Sequence, residues 1–159
     1  MFNLKTLKWF LIFVFGFLFQ DIIVNNLLSI KNVRFDFITI VLIFFGLEFG
    51  GVRATIVGFI VGLVQGLGFF SGGFIGLSSL TKSITGFYAG FFQRSKNKWN
   101  DLYFLLILFS GCLIHNIIYF YISTLGLESS IYYVFFRTIL PSSIYTTIIG
   151  MMIFYSFKK

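Results

Sequence analysis

A glycine-rich, apolar stretch from Gly46 to Gly90 constrains this chain more than any other feature, because it holds twelve of the sixteen glycines. The stretch is too apolar for a soluble loop, and each interior glycine costs a helix about 1 kcal/mol relative to alanine. Close packing between helices in a membrane compensates for such a cost. The stretch therefore predicts transmembrane helices whose backbones approach one another closely.

The glycines recur at helical spacing on two predicted helices. Gly58, Gly62 and Gly66 repeat every four residues and form one small-residue face, and Gln65 falls on the same side. The next helix carries a second face of this kind, made of Ser78, Ser79, Lys82, Gly86, Ala89 and Gly90. We expect the two faces to pack together and to turn their polar side chains inward.

The overall composition excludes a soluble domain. The 159 residues are 58% hydrophobic and 11% charged, with a mean hydropathy of +0.96. A soluble chain of this size could not cover so much apolar surface. We therefore expect an all-α, polytopic inner-membrane protein, in which residues 1–159 form a single transmembrane domain of about six helices.

Six apolar segments fit this expectation, at about residues 7–28, 35–49, 54–70, 74–92, 102–125 and 132–157. The second is short for a hydrocarbon core about 30 Å thick. It either tilts little, thins the membrane or belongs to a hairpin that does not fully cross. The sixth contains Pro141, which lacks a backbone donor and predicts a kink or break.

The basic residues are distributed unevenly between the two sides of the predicted bundle. An even number of spans puts both termini on one side, which carries Lys5, Lys8, Arg53, Arg94, Lys96, Lys98, Lys158 and Lys159. The opposite loops carry Lys31 and Arg34. The positive-inside rule then places both termini in the cytoplasm, with a basic cytoplasmic turn at Arg94, Lys96 and Lys98. Because this rule accounts for the net charge of +7, we expect no nucleic-acid partner.

Lys82 lies near the middle of the fourth predicted span, where an ionised lysine costs about 2.5 to 3.5 kcal/mol on insertion scales. Glu48 and Asp21 are candidate counter-ions, although both lie near span ends. Lys82 either belongs to a buried polar network, which we prefer, or contacts a ligand or a partner. We expect hydrogen-bonding neighbours such as Gln65 to hold it. Arg137 is expected to extend to the outer interface.

His115 is followed one turn later by Tyr119, and Asn116 lies beside it. We expect an interior histidine with satisfied hydrogen bonds, because a proton relay needs further titratable groups at the same depth and the sequence offers only Lys82. A lone histidine and the lone Cys112 build neither a zinc site nor an internal disulfide. Paired carboxylates, nucleophile–base motifs and phosphate-binding glycine loops are also missing from the sequence. We expect no enzymatic activity, metal or cofactor.

Three segments resemble motifs of the rod shape-determining protein MreD family, and the likeness covers most of the chain. The first is DFITIVLIFFGLEFGGVRATIVGFIVGLVQGL, which begins at Asp36. The second, GGFIGLSSLTKSITGFYAG, includes Gly76, Lys82, Gly86 and Gly90. The third, LPSSIYTTIIGMMIFYSFKK, includes Pro141 and Tyr145. In one departure, the chain has Gln65 where the family often has aspartate, so an ion pair from that position to Lys82 cannot form.

The resemblance implies a six-helix fold similar to the substrate-binding subunits of energy-coupling-factor vitamin transporters. It also implies a non-enzymatic scaffold in the bacterial cell-elongation machinery, involved in cell-shape maintenance and peptidoglycan synthesis. The implied partners, besides the lipid bilayer, are an MreC-like protein, the actin-like MreB, the glycosyltransferase RodA and a class B penicillin-binding protein.

The alternative is a vitamin-binding substrate-capture subunit of an energy-coupling-factor transporter. Those subunits tend to dock through an Ala-x-x-x-Ala face on their first helix. The first span here reads LKWFLIFVFGFLFQ, in which Gly16 is the only small residue. This bulky face favours the scaffold.

The predicted topology can be tested with a reporter that is active only outside the cytoplasm, such as alkaline phosphatase. A fusion after Lys159 is expected to be inactive, because the positive-inside rule keeps that terminus in the cytoplasm. The same reporter inserted at Lys31 is the positive control and is expected to be active. Strong activity after Lys159 would contradict the six-span topology.

Overall fold

The structure, a computed structural model, describes residues 4–20, 35–67, 76–94, 100–124 and 131–158, which are almost entirely helical. The elements are α1 (Leu4–Phe19), α2 (Phe37–Phe49), α3 (Gly51–Leu67), α4 (Leu77–Phe91), α5 (Asp101–Ser123), α6 (Ile131–Val134), a π-helical turn (Phe135–Ile139) and α7 (Leu140–Lys158). The predicted all-α class is confirmed for this part of the chain.

Helix α2 is the central helix of the bundle. Eight of its thirteen residues are buried, and it contacts α1, α3, α4, α5 and α7. A helix that is apolar on all sides is one that other elements surround. At 1.5 Å per residue α2 is only about 20 Å long. Other helices surround α2, so its length does not have to match the thickness of a bilayer.

Helices α3 and α4 pack through their glycines. A Cβ atom added to Gly58 would lie 2.5 Å from the carbonyl oxygen of Lys82, and one added to Gly62 would lie 2.5 Å from that of Ser78. Side chains at these two positions would overlap the backbone of α4. The two helices can lie this close only because both positions are glycine.

Glycines of α4 also make close contacts with the backbone of α3. A Cβ atom at Gly86 would lie 2.5 Å from the carbonyl oxygen of Ala54, and one at Gly90 would overlap the backbone of Gly51. The central helix joins this contact through Gly46, where a Cβ atom would lie 2.8 Å from Ala89 Cβ. Small residues therefore bring α2, α3 and α4 together at one end of the bundle.

The break predicted at Pro141 takes the form of the π-helical turn immediately before it. The N–H of Leu140 donates to the carbonyl oxygen of Phe135, five residues earlier. Pro141 has no N–H with which to continue an α-helical ladder. The wider π turn changes the hydrogen-bonding register just before the residue that cannot donate.

Two helices, Asp101–Ser123 and Tyr132–Ser156, are long and apolar enough to cross a membrane. Shorter apolar helices cover Leu7–Phe19, Phe37–Phe49 and Gly51–Leu67. Outward-facing side chains are also apolar, as on α1, where Phe10 is 63% and Phe15 65% exposed. Extensive exposed apolar surface of this kind is compatible with a helical membrane protein. The count of six spans stays a prediction.

The close approach of α3 and α4 can be tested with two alanine substitutions in α3. Gly62→Ala is expected to lower the melting temperature in detergent, because the new methyl group overlaps α4 and outweighs a helix-propensity gain of about 1 kcal/mol. Gly66→Ala is the matched control, since among the described residues the nearest atom to its added Cβ is Gly76 N at 3.8 Å. It is expected to melt at or above the parent temperature. Equal stability of the two variants would contradict the close approach.

Candidate functional site

Asp36 is the residue around which the candidate site is built. It is the N-cap of α2, and its Oδ1 accepts a hydrogen bond from Thr39 N at 3.0 Å. Its Oδ2 accepts another from Thr39 Oγ1 at 2.8 Å. A carboxylate here satisfies an unpaired N–H of the first turn and interacts favourably with the helix dipole. The cap therefore fixes a negative charge at the start of the central helix.

Lys82 is the counter-ion of Asp36. Its Nζ lies 2.7 Å from Asp36 Oδ2, and the residue is only 1% exposed. The Asp36 side chain is 21% exposed. Hydrogen bonds between two ionised groups are short and roughly twice as strong as neutral ones. The Asp36 carboxylate, which caps the start of α2, thus neutralises the charge of Lys82 on α4.

His115, on α5, approaches the same carboxylate. Its Nε2 lies 3.4 Å from Asp36 Oδ2, and the residue is 5% exposed. The carbonyl of Thr81 is also near the imidazole, but Nδ1 has no hydrogen-bond partner within the described residues. The ring of Tyr119 lies nearly parallel to the imidazole, with 6.3 Å between centroids. One carboxylate oxygen therefore faces both a lysine and a histidine.

Two further polar side chains connect α1 and α7 to the same point. Gln20, which follows α1, donates from Nε2 to the carbonyl oxygen of Phe35 at 3.1 Å and accepts from Phe37 N at 2.8 Å. The N–H of Asp36 donates to Thr146 Oγ1, on α7, at 3.4 Å. Five helices thus meet at one group of residues, which we call the Asp36 junction: Gln20, Asp36, Lys82, His115 and Thr146.

A neutral hydrogen-bonded pair lies beside the junction. Asn116 Nδ2, on α5, donates to Ser143 Oγ at 2.8 Å, and Ser143 Oγ donates to the carbonyl oxygen of Ile139 at 2.8 Å. Both Asn116 and Ser143 are buried. Because buried polar groups are costly without partners, this pair holds α5 and α7 in one relative position.

The predicted surroundings of Lys82 need correction. Gln65 is the neighbour predicted to hold it, whereas in the structure its ammonium group donates to Asp36. Glu48 is wrong as counter-ion, since it lies twelve residues after Asp36, about 18 Å along α2 at 1.5 Å per residue. Asp21 lies outside the described residues. Asp36 is not among the counter-ions that the sequence predicts, and capping the buried helix α2 brings its carboxylate to Lys82.

The other predicted residues lie away from the junction or support it by packing. Gly76 caps α4 with a φ of +96°, a left-handed conformation that favours glycine. The ring of Tyr145, on α7, meets the ring of Phe35 edge-on at 5.4 Å, next to Asp36. Gln65 is partly buried on α3.

The predicted basic residues lie at the surface where they are described. Arg94 is exposed just after α4, while Lys96 and Lys98 of the basic turn lie outside the described residues. Arg137 is exposed in the π turn, with its guanidinium carbon 5.1 Å from the centroid of the Tyr133 ring. This contact fits a cation–π interaction at the edge of an apolar surface.

The junction has the chemistry of a structural ion pair with a histidine beside it. Within the described ranges, no three His, Cys, Asp or Glu side chains come together as a metal site would require. No protein-family model, curated protein or solved structure matches the chain. Function has to be inferred from the residues themselves.

The ion pair can be tested with a double-mutant cycle. Asp36→Asn keeps a good N-cap acceptor but removes the charge, and Lys82→Met keeps the length of the side chain. Each single change is expected to cost about 3 to 5 kcal/mol, because it leaves one buried charge unpaired. The double variant is expected to cost less than the sum. Denaturant unfolding in detergent measures these free energies.

Lys8→Met is the control for loss of a lysine, since Lys8 is exposed on α1. It is expected to unfold like the parent. Additive costs in the Asp36 and Lys82 variants would show that the two charges do not interact.

Proposed function

We propose that this protein is a non-enzymatic inner-membrane scaffold of the bacterial cell-elongation machinery, related to MreD and acting with an MreC-like partner. The resemblance of three sequence segments supplies the family hypothesis. The observation that carries the proposal is the pairing of Lys82 with Asp36, because it neutralises the buried lysine within the protein. The lysine therefore needs no anionic ligand as its counter-ion.

The packing around Lys82 supports a scaffold over a small-molecule carrier. A ligand pocket usually occupies about 300 Å³ or more. Around Lys82 the space is taken by the Asp36 carboxylate, the His115 ring and the backbone of α3 at Gly58. These features favour an interior that holds helices together.

The outer surface provides the means by which a scaffold would act. Helix α1 exposes the bulky side chains of Phe10, Leu11, Phe15 and Leu18. A transmembrane helix of an MreC-like partner would pack against apolar and aromatic faces of this kind by van der Waals contact. MreB, RodA and a class B penicillin-binding protein would be reached directly or through that partner.

The proposed topology has six spans and both termini in the cytoplasm. The sixth span would combine α6, the π turn and α7. The basic turn Arg94, Lys96 and Lys98 would then face the cytoplasmic leaflet, where anionic lipid attracts basic side chains at about 1 kcal/mol per residue. In this arrangement the turn is also accessible to a cytoplasmic filament.

Depletion in a rod-shaped host tests the proposal. Cells are expected to become rounder and wider, because the elongation machinery loses its membrane scaffold. Purification of the tagged protein in mild detergent is expected to recover an MreC-like protein, identified by mass spectrometry. Cell width and the recovered proteins are the two measurements.

Complementation links the phenotype to the structure. The wild-type protein and the surface variant Lys8→Met are expected to restore rods, whereas Lys82→Met is expected to restore them poorly because its bundle is destabilised. Normal rods under depletion, with a vitamin requirement relieved by external vitamin, would instead support the substrate-capture alternative.

A further inference from the structure

We propose that His115, Asp36 and Lys82 form a buried proton-binding site, and that uptake of a proton by His115 loosens the Asp36 junction. The proposal rests on the geometry of the junction alone and does not depend on the scaffold function. The sequence disfavoured proton chemistry at His115 because only Lys82 was expected at its depth. The structure adds Asp36 to the same cluster.

The contacts of one carboxylate oxygen set the charge balance of the site. Asp36 Oδ2 faces Lys82 Nζ at 2.7 Å, Thr39 Oγ1 at 2.8 Å and His115 Nε2 at 3.4 Å. With His115 neutral, the cluster contains one cation and one anion and is balanced. The Nε2–H tautomer then directs its proton at the carboxylate, leaving Nδ1 as an acceptor.

A second proton on His115 upsets this balance. The imidazolium would share a single carboxylate with Lys82, and within the described residues its new Nδ1–H could donate to a neutral acceptor, the Thr81 carbonyl. The nearby Thr81 carbonyl carries no formal charge and cannot neutralise the imidazolium. An uncompensated buried cation costs several kcal/mol in general, so the closed junction disfavours this state.

No other group at or beside the Asp36 junction, among the described residues, supplies a compensating charge. Helix α5 itself contributes the buried thiol of Cys112, one turn earlier, and the phenol of Tyr119. Helix α7 contributes hydroxyls, including that of Thr146, and α1 is followed by the neutral amide of Gln20. The Asp36 carboxylate would therefore have to neutralise both Lys82 and a protonated His115.

Proton uptake is favoured when the junction opens, because water can then solvate the second cation. A state that binds a proton more readily becomes more populated as pH falls, by at most about tenfold per pH unit for one proton. A free histidine titrates near pH 6.5 and free carboxylates near pH 4. Between pH 7.5 and 5 a free histidine therefore takes up its proton while most free carboxylates stay ionised. Acidification through this window is expected to move the protein towards an open junction.

The chain offers a direct experiment, because His115 is its only histidine. The full-length protein is labelled with 15N-histidine, placed in lipid nanodiscs and followed by imidazole NMR from pH 7.5 to 5. The expected spectrum at pH 7.5 is that of the neutral Nε2–H tautomer, and proton uptake is expected on acidification. In parallel, the melting temperature is measured over the same range for the wild type and for His115→Gln, which keeps a donor but cannot take up a proton.

The wild type is expected to lose several degrees of melting temperature on acidification, in step with the imidazole signal, while His115→Gln stays nearly constant. Three results would each overturn the proposal: an imidazolium already present at pH 7.5, a neutral imidazole throughout, or equal losses of stability in the two proteins. The NMR measurement uses the unmodified sequence, so the test holds even if His115→Gln fails to fold.

Discussion

The ion pair between Asp36 and Lys82 is the interaction on which the rest of this structure depends. A buried lysine is stable only if a nearby group compensates its charge, and here that group also caps the central helix. The same carboxylate faces His115, and its backbone and neighbours bind Gln20 and Thr146. The same group of residues therefore compensates the charge of Lys82 and connects five helices.

Apolar residues play two different parts in the rest of the bundle. On the inside, glycines let α3 and α4 approach until their backbones touch, and α2 fills the centre with aliphatic side chains. On the outside, the helices expose phenylalanine, leucine and isoleucine. Because α2 is surrounded by protein, its length does not have to match the thickness of a bilayer. The proposed scaffold function would use this apolar exterior.

The all-α class and the approach of α3 and α4 at Gly58 and Gly62 follow from sequence pattern, because helical periodicity and the absence of a side chain are local properties. Gly66 shows the limit, since its spacing is identical but no described atom lies within 3.7 Å of the added Cβ. Gly66 lies opposite Gly76, the N-cap at which α4 begins, and the spacing of glycines in one helix does not reveal where its partner helix begins.

The counter-ion of Lys82 could not be predicted, because it depends on tertiary structure. Asp36 and Lys82 are separated by 46 residues, and Asp36 lies near the start of an apolar segment, a few residues after Lys31 and Arg34. An N-cap signal predicts where a helix starts, but it does not reveal whether that start is buried. Only the packing of five helices around α2 places the carboxylate inside.

The most direct test of this account is amide hydrogen exchange of the full-length protein in nanodiscs, followed by mass spectrometry. Amides of α2 are expected to exchange more slowly than those of α1, and Lys82→Met is expected to accelerate exchange in residues 37–49 more than in α1. Exchange in α2 as fast as in α1, or unaltered by Lys82→Met, would contradict the claim that the ion pair secures the central helix.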